Sequence, residues 1–302
     1  MAVARPSHLL YPSPLRYPGG KGKLANYIKL VMLTNGLVGS EYVEPYAGGA
    51  AVALSLLFEE YADHVHINDV NRSVASFWRA ALNRTDEFCA RIEAVKLDVS
   101  EWDRQREIQR HPHPDDLDLA FSTFFMNRTN RSGIINGGII GGRDQSGTWQ
   151  IDARWRPKDL VDRIQKIGRF RDRITVTAMD AEDYLRDILP KLTRPFLYLD
   201  PPYYGKGRRL YQDFYEHDDH ARIAESVLCL KQPWIVSYDA TAEIEALYRP
   251  VEQVSYGLNY TARHRFVGSE LMFFQQDLAI PDFQSPTSVS AELIDAARRT
   301  AN

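Results

Sequence analysis

Short apolar runs alternate with helix-like amphipathic patterns along most of the chain, and this alternation predicts an α/β sheet. Only a loop separates the last two apolar runs, so these two strands are predicted to pair antiparallel, because a parallel pair needs a long crossover. The pattern thus predicts a seven-stranded, mostly parallel sheet with one antiparallel strand in its edge region. The predicted strands are residues 41–45, 64–69, 174–179, 196–200, 234–239, 250–256 and 270–275, and the predicted helices are residues 50–60, 71–81, 181–189, 218–230 and 241–248.

The spacing of the strands is interrupted once, by about 100 residues between the second and the third strand. This stretch begins with helical patterns and ends in the glycine-rich segment NRTNRSGIINGGIIGGRDQSGTWQ. A long segment of this kind inside a compact domain is usually functional. We therefore predict a main domain at residues 1–75 and 157–280, an inserted and mainly helical lobe at 76–156, and a C-terminal tail at 281–302.

Composition narrows the class of protein. A chain of 302 residues with 44% hydrophobic content can bury a full core. No apolar run approaches the roughly 20 residues that span a bilayer, and the N-terminus lacks the apolar core of a secretion signal, so a cytoplasmic protein without membrane contact is expected. Cys89 and Cys229 form no CxxC pattern, which argues against a disulfide framework and a thiolate zinc site. The net charge of -3 does not exclude nucleic acid, because residues 128–143 contain three arginines and no acid.

Polar residues lie at the carboxyl ends of the first two predicted strands, at the edge where open α/β sheets bind ligands. Glu44 lies at the end of the first strand and a Gly48-Gly49 turn follows it, and glycines there let the backbone and the next helix's amides approach a ligand. Asp69 ends the second strand, where a carboxylate can accept from both hydroxyls of a ribose. Capping of the next helix is the alternative for Asp69.

The segment PLRYPGGKGKL lies upstream of the first strand. Its glycines, Gly19 and Gly20, permit a close backbone approach to a ligand, and Lys21 can meet a carboxylate. A common turn before a helix is the alternative interpretation.

The fourth strand ends in FLYLDPPYYGKG, a corner that offers hydrogen-bond acceptors only. Ionised Asp200 accepts but does not donate, and Pro201 and Pro202 have no N–H group. Tyr203 adds a flat apolar face with a polar tip. A planar ligand could stack on Tyr203 while its amino group donates to Asp200 and to a backbone carbonyl, which the exocyclic amine of a nucleobase would satisfy. A rigid turn after a buried strand is the alternative.

These motifs, in this order, resemble the Dam-like DNA adenine-N6 methyltransferases, which use S-adenosylmethionine. The resemblance covers most of residues 14–275: RYPGGK and VEPYAGGAAV resemble the family's cofactor motifs, INDVN its acidic ribose motif, and DPPY its catalytic motif. FFMNRTNRSG...GTW resembles its DNA-contacting hairpin, and VSYD and GSELMFF resemble its late strands. The resemblance implies a Rossmann-like methyltransferase sheet in which the inserted lobe is a target-recognition lobe with a glycine-rich hairpin.

Site residues carry over from the resemblance position by position. The implied catalytic residues are Asp200, Pro201, Pro202 and Tyr203, and the implied cofactor-binding residues are Tyr17, Gly19, Gly20, Lys21, Glu44, Gly48, Asp69, Asp180 and Asp200. For Asp180, capping of a helix is the alternative. No metal is expected, because HPHP lies in a turn-like linker without further ligands and EHDDH resembles the start of a helix capped by Asp218 or Asp219.

Candidate DNA-binding residues lie in the inserted lobe: Arg128, Arg131, Asn136 and Arg143. Arginine suits guanine and asparagine suits adenine in the major groove, with phosphate contact as the alternative. Asn136 stands where well-known family members have a base-reading arginine, so we expect a target other than GATC.

The resemblance thus implies a site-specific enzyme that methylates the N6 amine of a flipped adenine in double-stranded DNA. It is expected to act as a monomer, with a cognate restriction or defence system as a further partner. A methyltransferase for another amine, such as cytosine N4 or RNA adenine, and a non-catalytic DNA-binding relative remain alternatives. Residues 204–209 are expected to form a mobile loop over the flipped base.

Overall fold

The computed structural model describes residues 12–16, 20–205, 215–260, 266–283 and 285–301. All seven predicted strands are present, with ends that shift by a few residues. The strands are β1 Ser40–Glu44, β2 Ala62–Asn68, β3 Ile174–Thr177, β4 Pro195–Leu199, β5 Trp234–Asp239, β6 Gln253–Tyr260 and β7 Phe266–Phe274.

Helices connect most of these strands, as the amphipathic patterns predict. Within the described residues they are α1 Ala25–Thr34, α2 Ala51–Phe58, α3 Arg72–Asn83, α4 Thr85–Ala94, α5 Val99–Arg110, α6 Asp116–Thr129, α7 Pro157–Arg169, α8 Ala181–Asp187, α9 His217–Leu228, α10 Ala242–Leu247 and α11 Ala291–Ala301. No helix of the described part is long and apolar enough to cross a membrane.

The strands form a seven-stranded sheet in the order β3-β2-β1-β4-β5-β7-β6. β1 pairs in parallel with β2 and β4, and β4 pairs in parallel with β5, whereas β7 is antiparallel to both β5 and β6. The predicted fold class, with one antiparallel strand in the edge region, is confirmed. Strand order reverses between β1 and β4, which makes their carboxyl ends the topological switch point where such sheets bind ligands.

The sequence of β4 explains its central position. All five of its residues are buried, and such a continuous apolar run is typical of a strand covered on both faces. The run ends at Asp200, so this carboxylate lies just beyond the carboxyl end of β4, beside the switch point. The surrounding core contains Leu197, Leu199 and the β5 residues Trp234 and Val236.

The chain forms two compact units. Unit 1 comprises Met1–Gly20 and Asn71–Ala178, and unit 2 comprises Lys21–Val70 and Met179–Asn302. Unit 1 is mainly helical, and its core includes Phe77 and Phe124, whose rings stack at 5.8 Å. The predicted lobe at residues 76–156 lies within unit 1. Unit 2 contains the six strands from β2 to β6 in the sheet order, and with them the switch point.

The glycine-rich segment of unit 1, which is predicted to be a hairpin, is a loop whose described residues form no extended strand pair. One isolated antiparallel bridge, between Asn130 and Ile139, closes it. Gly133 has a φ of 76°, and a Cβ atom there would lie 2.0 Å from the Arg16 carbonyl oxygen. Gly141 and Gly142 also have positive φ angles, and such a backbone cannot continue a β ladder.

Candidate active site

Asp200 is placed by the end of β4 and held through one of its two oxygens. Oδ1 lies 2.9 Å from Lys21 Nζ and accepts a hydrogen bond of 2.8 Å from the buried Ser237 hydroxyl on β5. No described residue donates to Oδ2, and the side chain is 24% exposed. Burial raises the pKa of Asp200, and the Lys21 charge opposes that rise. The carboxylate can therefore accept a further hydrogen bond at Oδ2 from a ligand.

Lys21 is buried at the start of the turn that leads into α1, where it meets two carboxylates. Its Nζ lies 2.9 Å from Asp200 Oδ1 and 3.2 Å from Glu270 Oε2, and it donates to the Tyr203 hydroxyl at 2.9 Å. Although burial lowers the pKa of Lys21, the two carboxylates raise it well above the usual value. The predicted contact of Lys21 with a cofactor stays a prediction, because the two carboxylates that it meets here belong to the protein.

Tyr203 is 1% exposed. Its hydroxyl donates to Glu270 Oε1 at 2.7 Å and accepts from Lys21, whose Nζ lies 4.8 Å from the ring centroid. The neighbouring amides of Tyr204 and Gly205 donate to the two carboxylate oxygens of Asp239. Stacking of a base on Tyr203 stays a prediction, and with so little exposed ring it requires neighbouring groups to move. Residues 206–209 of the predicted mobile loop lie outside the described residues.

Glu270, Ser237 and Asp239 are the site residues that sequence reasoning missed. Glu270 is fully buried on β7, where Oε1 accepts from Tyr203 and Oε2 accepts from the Tyr256 hydroxyl at 2.9 Å. A single acid within the apolar run ELMFF was the available signal, because an acid is almost never fully buried without partners. Ser237 and Asp239 are two residues apart on β5, and period-2 alternation places such residues on one face of a strand.

Asp69 and Gly48 form the second part of the predicted site, beyond β2 and β1. The Gly48 amide donates to Asp69 Oδ2 at 2.9 Å, and Gly48 has a φ of 45°. Asn71, not Asp69, caps α3, because its side chain accepts from the amides of Ser73 and Val74. The capping alternative for Asp69 is therefore not realised in the structure.

Glu44 lies at the end of β1 and is buried. Its Oε1 accepts from the Ala53 amide in the first turn of α2 and from the Tyr42 hydroxyl, at 3.0 Å and 3.2 Å. Burial raises the pKa of Glu44 to about 8, so the carboxyl is mostly protonated at neutral pH. Glu44 thus anchors the start of α2, and its predicted contact with a cofactor stays a prediction.

The remaining predicted cofactor positions are less informative. Asp180 is exposed and caps α8 by accepting from the Glu182 amide at 2.8 Å, which is the alternative considered for it. Gly20 is exposed. Tyr17 and Gly19 lie outside the described residues.

The four predicted DNA-binding residues differ in what they contact within unit 1. The Arg128 guanidinium donates to the carbonyl oxygens of Arg154 and Pro14, and burial lowers its pKa to about 9. Arg143 forms a bidentate ion pair with Asp103 on α5, in which its two terminal guanidinium nitrogens lie 2.8 Å and 2.7 Å from the two carboxylate oxygens. Arg128, in the last turn of α6, thus has a structural role in unit 1, and Arg143 would have to leave Asp103 to read a base.

Arg131 and Asn136 are exposed on the same glycine-rich loop. The neighbouring Asn130 side chain holds the loop, since it donates to the carbonyls of Ile134 and Ile135 and accepts from the Trp102 indole. Arg131 and Asn136 are thus presented to solvent on a loop with a fixed base. Their contact with DNA stays a prediction. Within the described part of the chain, no group of three or more His, Cys, Asp or Glu side chains could hold a metal ion.

Comparison with known proteins identifies the family. A model of the D12 class N6 adenine-specific DNA methyltransferases matches residues 17–260, whereas no curated protein matched the chain. A "putative RNA methyltransferase" from Pyrococcus horikoshii is similar at a TM-score of 0.40 and 9% identity, covering 83% of this chain and 81% of that one. A conserved hypothetical protein from Streptococcus pyogenes is similar at a TM-score of 0.32 and 10% identity, covering 80% of this chain and 89% of that one. Both likenesses are too distant to bear on function. The family match covers strands β1 to β6 in chain order and includes Lys21, Asp69 and Asp200. The protein therefore belongs to the D12 class N6 adenine-specific DNA methyltransferase family and is a methyltransferase.

Proposed function

We propose that this protein transfers a methyl group from S-adenosylmethionine to the N6 amine of an adenine flipped out of double-stranded DNA. The observation that carries the proposal is Asp200, which lies beside the switch point with Oδ1 held by Lys21 and Ser237 and with no described donor on Oδ2. An adenine N6 amine is a donor that this acceptor site suits. The family supports DNA as the substrate.

The chemistry of the described residues fits S-adenosylmethionine. Asp69, half-buried beyond β2 and fixed by the Gly48 amide, would hold the ribose hydroxyls. The cluster of Asp200, Glu270 and Lys21 contains two acids and one base, so its formal charge is negative when all three are ionised. A cation such as a sulfonium is favoured beside it. When bound, the cofactor supplies a methyl group on a positively charged sulfur.

Asp200 and the Pro201 carbonyl supply the acceptors for the amine. The lone pair of adenine N6 is delocalised into the ring, which makes the nitrogen a poor nucleophile. If Asp200 Oδ2 and the Pro201 carbonyl accept its two N–H bonds, the nitrogen becomes more pyramidal and its lone pair is freed. These hydrogen bonds strengthen as positive charge develops on nitrogen, and such interactions raise the rate rather than binding alone. As the new N–C bond formed, the S–C bond of the cofactor would break and leave a neutral thioether, and the surplus N6 proton would leave to solvent through Asp200 Oδ2.

Positioning supplies much of the remaining acceleration. Ser237 and Lys21 fix the Asp200 carboxylate at Oδ1, and Asp239 fixes the amides that follow Tyr203. Tyr203 would support the flipped base once neighbouring groups move aside. Flipping itself costs roughly a few kcal/mol, which contacts in the bound complex must offset.

Base recognition is assigned to the exposed Arg131 and Asn136 of the unit 1 loop, because Arg128 and Arg143 already have partners within the unit. Asn136 suits adenine N6 and N7, and Arg131 suits guanine or a phosphate. We accordingly propose a site other than GATC, recognised by a monomer, with a restriction or defence system as its biological context.

The test is methylation of unmethylated plasmid DNA by the purified protein with S-adenosylmethionine, followed by sequencing of the modified positions. We expect N6-methyladenine at a defined site other than GATC with the wild type, and none with Asp200→Ala. Methylation confined to GATC would contradict the proposed specificity. Transfer to RNA alone or to cytosine N4, or full turnover by a folded Asp200→Ala variant, would contradict the proposed function.

A further inference from the structure

Glu270 is a fully buried acid that the proposed chemistry does not use directly. It lies in an apolar stretch of β7 and is 0% exposed. A buried carboxylate costs stability unless several partners compensate it. Among the described residues, Tyr203 and Tyr256 do so through their hydroxyls and Lys21 through its ammonium. An arrangement of this cost beside the proposed acceptor residue calls for a functional explanation.

We propose that Glu270 is a positioning residue that saturates Lys21 and orients Tyr203, and thereby keeps Oδ2 of Asp200 open for the substrate amine. The proposal rests on the proposed function, in which Asp200 accepts from that amine. Glu270 itself touches neither substrate nor cofactor in this account.

All three N–H donors of Lys21 have an acceptor in the site. An ammonium group has three N–H bonds, and three acceptors surround it: Asp200 Oδ1 at 2.9 Å, Glu270 Oε2 at 3.2 Å and the Tyr203 hydroxyl at 2.9 Å. Each donor thus has one acceptor, and none is left for Asp200 Oδ2. Without the Glu270 carboxylate, one donor of Lys21 would be released and could turn to Asp200, the other carboxylate within reach.

Glu270 also fixes the direction of the Tyr203 hydroxyl. That hydroxyl has one proton, which it donates to Glu270 Oε1 at 2.7 Å, while it accepts from Lys21. A glutamine at position 270 could not accept all of these hydrogen bonds. In one orientation of its amide, the NH2 group would face the Tyr203 hydroxyl proton, and in the other orientation it would face the donors of Lys21 and Tyr256.

The pKa of Asp200 is a second property that Glu270 should affect, independently of the hydrogen bonds. Asp200 Oδ1 and Glu270 Oε2 both touch the same ammonium, so their separation cannot exceed the sum of those two contact distances. Burial raises the pKa of Asp200, Lys21 lowers it and the Glu270 charge raises it. Among the described residues, the Asp200 charge in turn raises the pKa of Glu44 and of the buried tyrosines Tyr42, Tyr198, Tyr238 and Tyr256.

The first measurement is the carboxyl 13C titration of Asp200 in protein labelled with [13C]aspartate, with the resonance assigned by Asp200→Asn. Glu270→Gln removes a like charge, so the pKa of Asp200 should fall by roughly 1 unit or more. Lys21→Met removes the opposite charge and should move it upward. Glu59→Gln is the matched control, because Glu59 pairs with another buried lysine, Lys29, at 2.7 Å; it should leave the titration unchanged.

The second measurement is the pH profile of methyl transfer to DNA. Glu270→Gln should lower kcat roughly 10- to 100-fold, as expected when a reacting group is misplaced, with the KM for DNA little changed. Its acidic limb should move to lower pH, which a purely structural defect would not cause. Should this variant not fold, Tyr256→Phe replaces it: it removes one hydrogen bond to Glu270 and should lower kcat roughly 3- to 10-fold.

An unaltered Asp200 titration in folded Glu270→Gln, or a kcat equal to that of Glu59→Gln, would overturn the inference, as would an unchanged kcat in Tyr256→Phe. Failure of the proposed function would look different. A wild type that methylates no DNA would refute the function, while the titration of the unliganded protein would still decide whether Glu270 and Lys21 act on Asp200 in opposite directions.

Discussion

Replacement of Lys21 by methionine tests the charge arrangement of the site most severely. Lys21 is buried and lies within 3.2 Å of both Asp200 and Glu270. Methionine fills a similar volume but removes the charge, so two acids remain at one site without a counter-ion. Loss of one partner from a buried ion pair typically costs about 3 to 5 kcal/mol. A domain has only about 5 to 15 kcal/mol of stability, so we expect a weakened but folded protein near neutral pH.

The pH dependence of this loss follows from the sign of the pKa changes. Burial already raises the pKa of Asp200 in the wild type, and removal of the Lys21 charge raises the folded-state pKa of Asp200 further above that of the unfolded chain. Stability of the variant then decreases as pH rises from the unfolded pKa to the folded pKa of Asp200, by about 1.4 kcal/mol per pH unit. The gap between wild type and Lys21→Met should therefore be about 2 to 3 kcal/mol smaller at about pH 6 than at about pH 8. Lys21 itself adds no slope there, since its raised pKa keeps it charged in both states.

Urea unfolding followed by 19F NMR of 5-fluorotryptophan measures this gap in the correct part of the molecule. The chain has five tryptophans, and Trp234 on β5 is the one that belongs to unit 2. Lys29→Met is the matched control, because Lys29 is equally buried but its partner Glu59 is 36% exposed and can be rehydrated. The reasoning would be refuted if Lys21→Met and Lys29→Met lost the same stability with the same dependence on pH.

Two further predictions concern Glu44 and Asn130. Burial raises the pKa of Glu44 to about 8, so protonated Glu44 stabilises the fold at low pH, and this contribution is lost as pH rises from the pKa of the unfolded chain through about 8. In Glu44→Gln, the free energy of unfolding in urea should therefore depend less steeply on pH over this window, by about 1 kcal/mol per pH unit. An identical slope in both proteins would contradict it. Asn130→Ala removes the acceptor of the Trp102 indole and the side-chain donor to the Ile134 and Ile135 carbonyls, so it should destabilise unit 1 by about 1 to 3 kcal/mol and weaken DNA binding in fluorescence anisotropy. Cofactor affinity in calorimetry should not change, and unaltered DNA affinity would count against a role for this loop.

Most of the strands could be predicted from the sequence alone, because the signals that mark a strand lie in neighbouring residues. Each strand is a short apolar run bounded by turn residues, and β5 begins and ends where its pattern predicts. The antiparallel pairing of β6 and β7 followed from a short connection. The insertion of β7 between β5 and β6 did not, because strand order depends on packing between segments far apart in sequence.

The site was predicted in part for the same reason. The role of Asp200 can be predicted from the residues next to it in the sequence. Glu270 is 70 positions away in the chain and acquires its role only through contacts with Lys21, Tyr203 and Tyr256. For Arg128, composition predicts contact with DNA, and that contact stays a prediction. The hydrogen bonds of Arg128 to backbone carbonyls of unit 1 are a use of charge that no local pattern reveals.

The central claim is that Asp200 Oδ2 accepts the adenine amine during methyl transfer. The most direct measurement is single-turnover transfer of a radiolabelled methyl group from S-adenosylmethionine to unmethylated DNA by wild type and Asp200→Asn, with the product nucleoside identified by mass spectrometry. Asparagine keeps the size of the side chain but cannot present two acceptor oxygens. We predict N6-methyladenine with the wild type and no transfer with a folded Asp200→Asn that still binds the cofactor. Transfer by that variant at the wild-type rate would contradict the account.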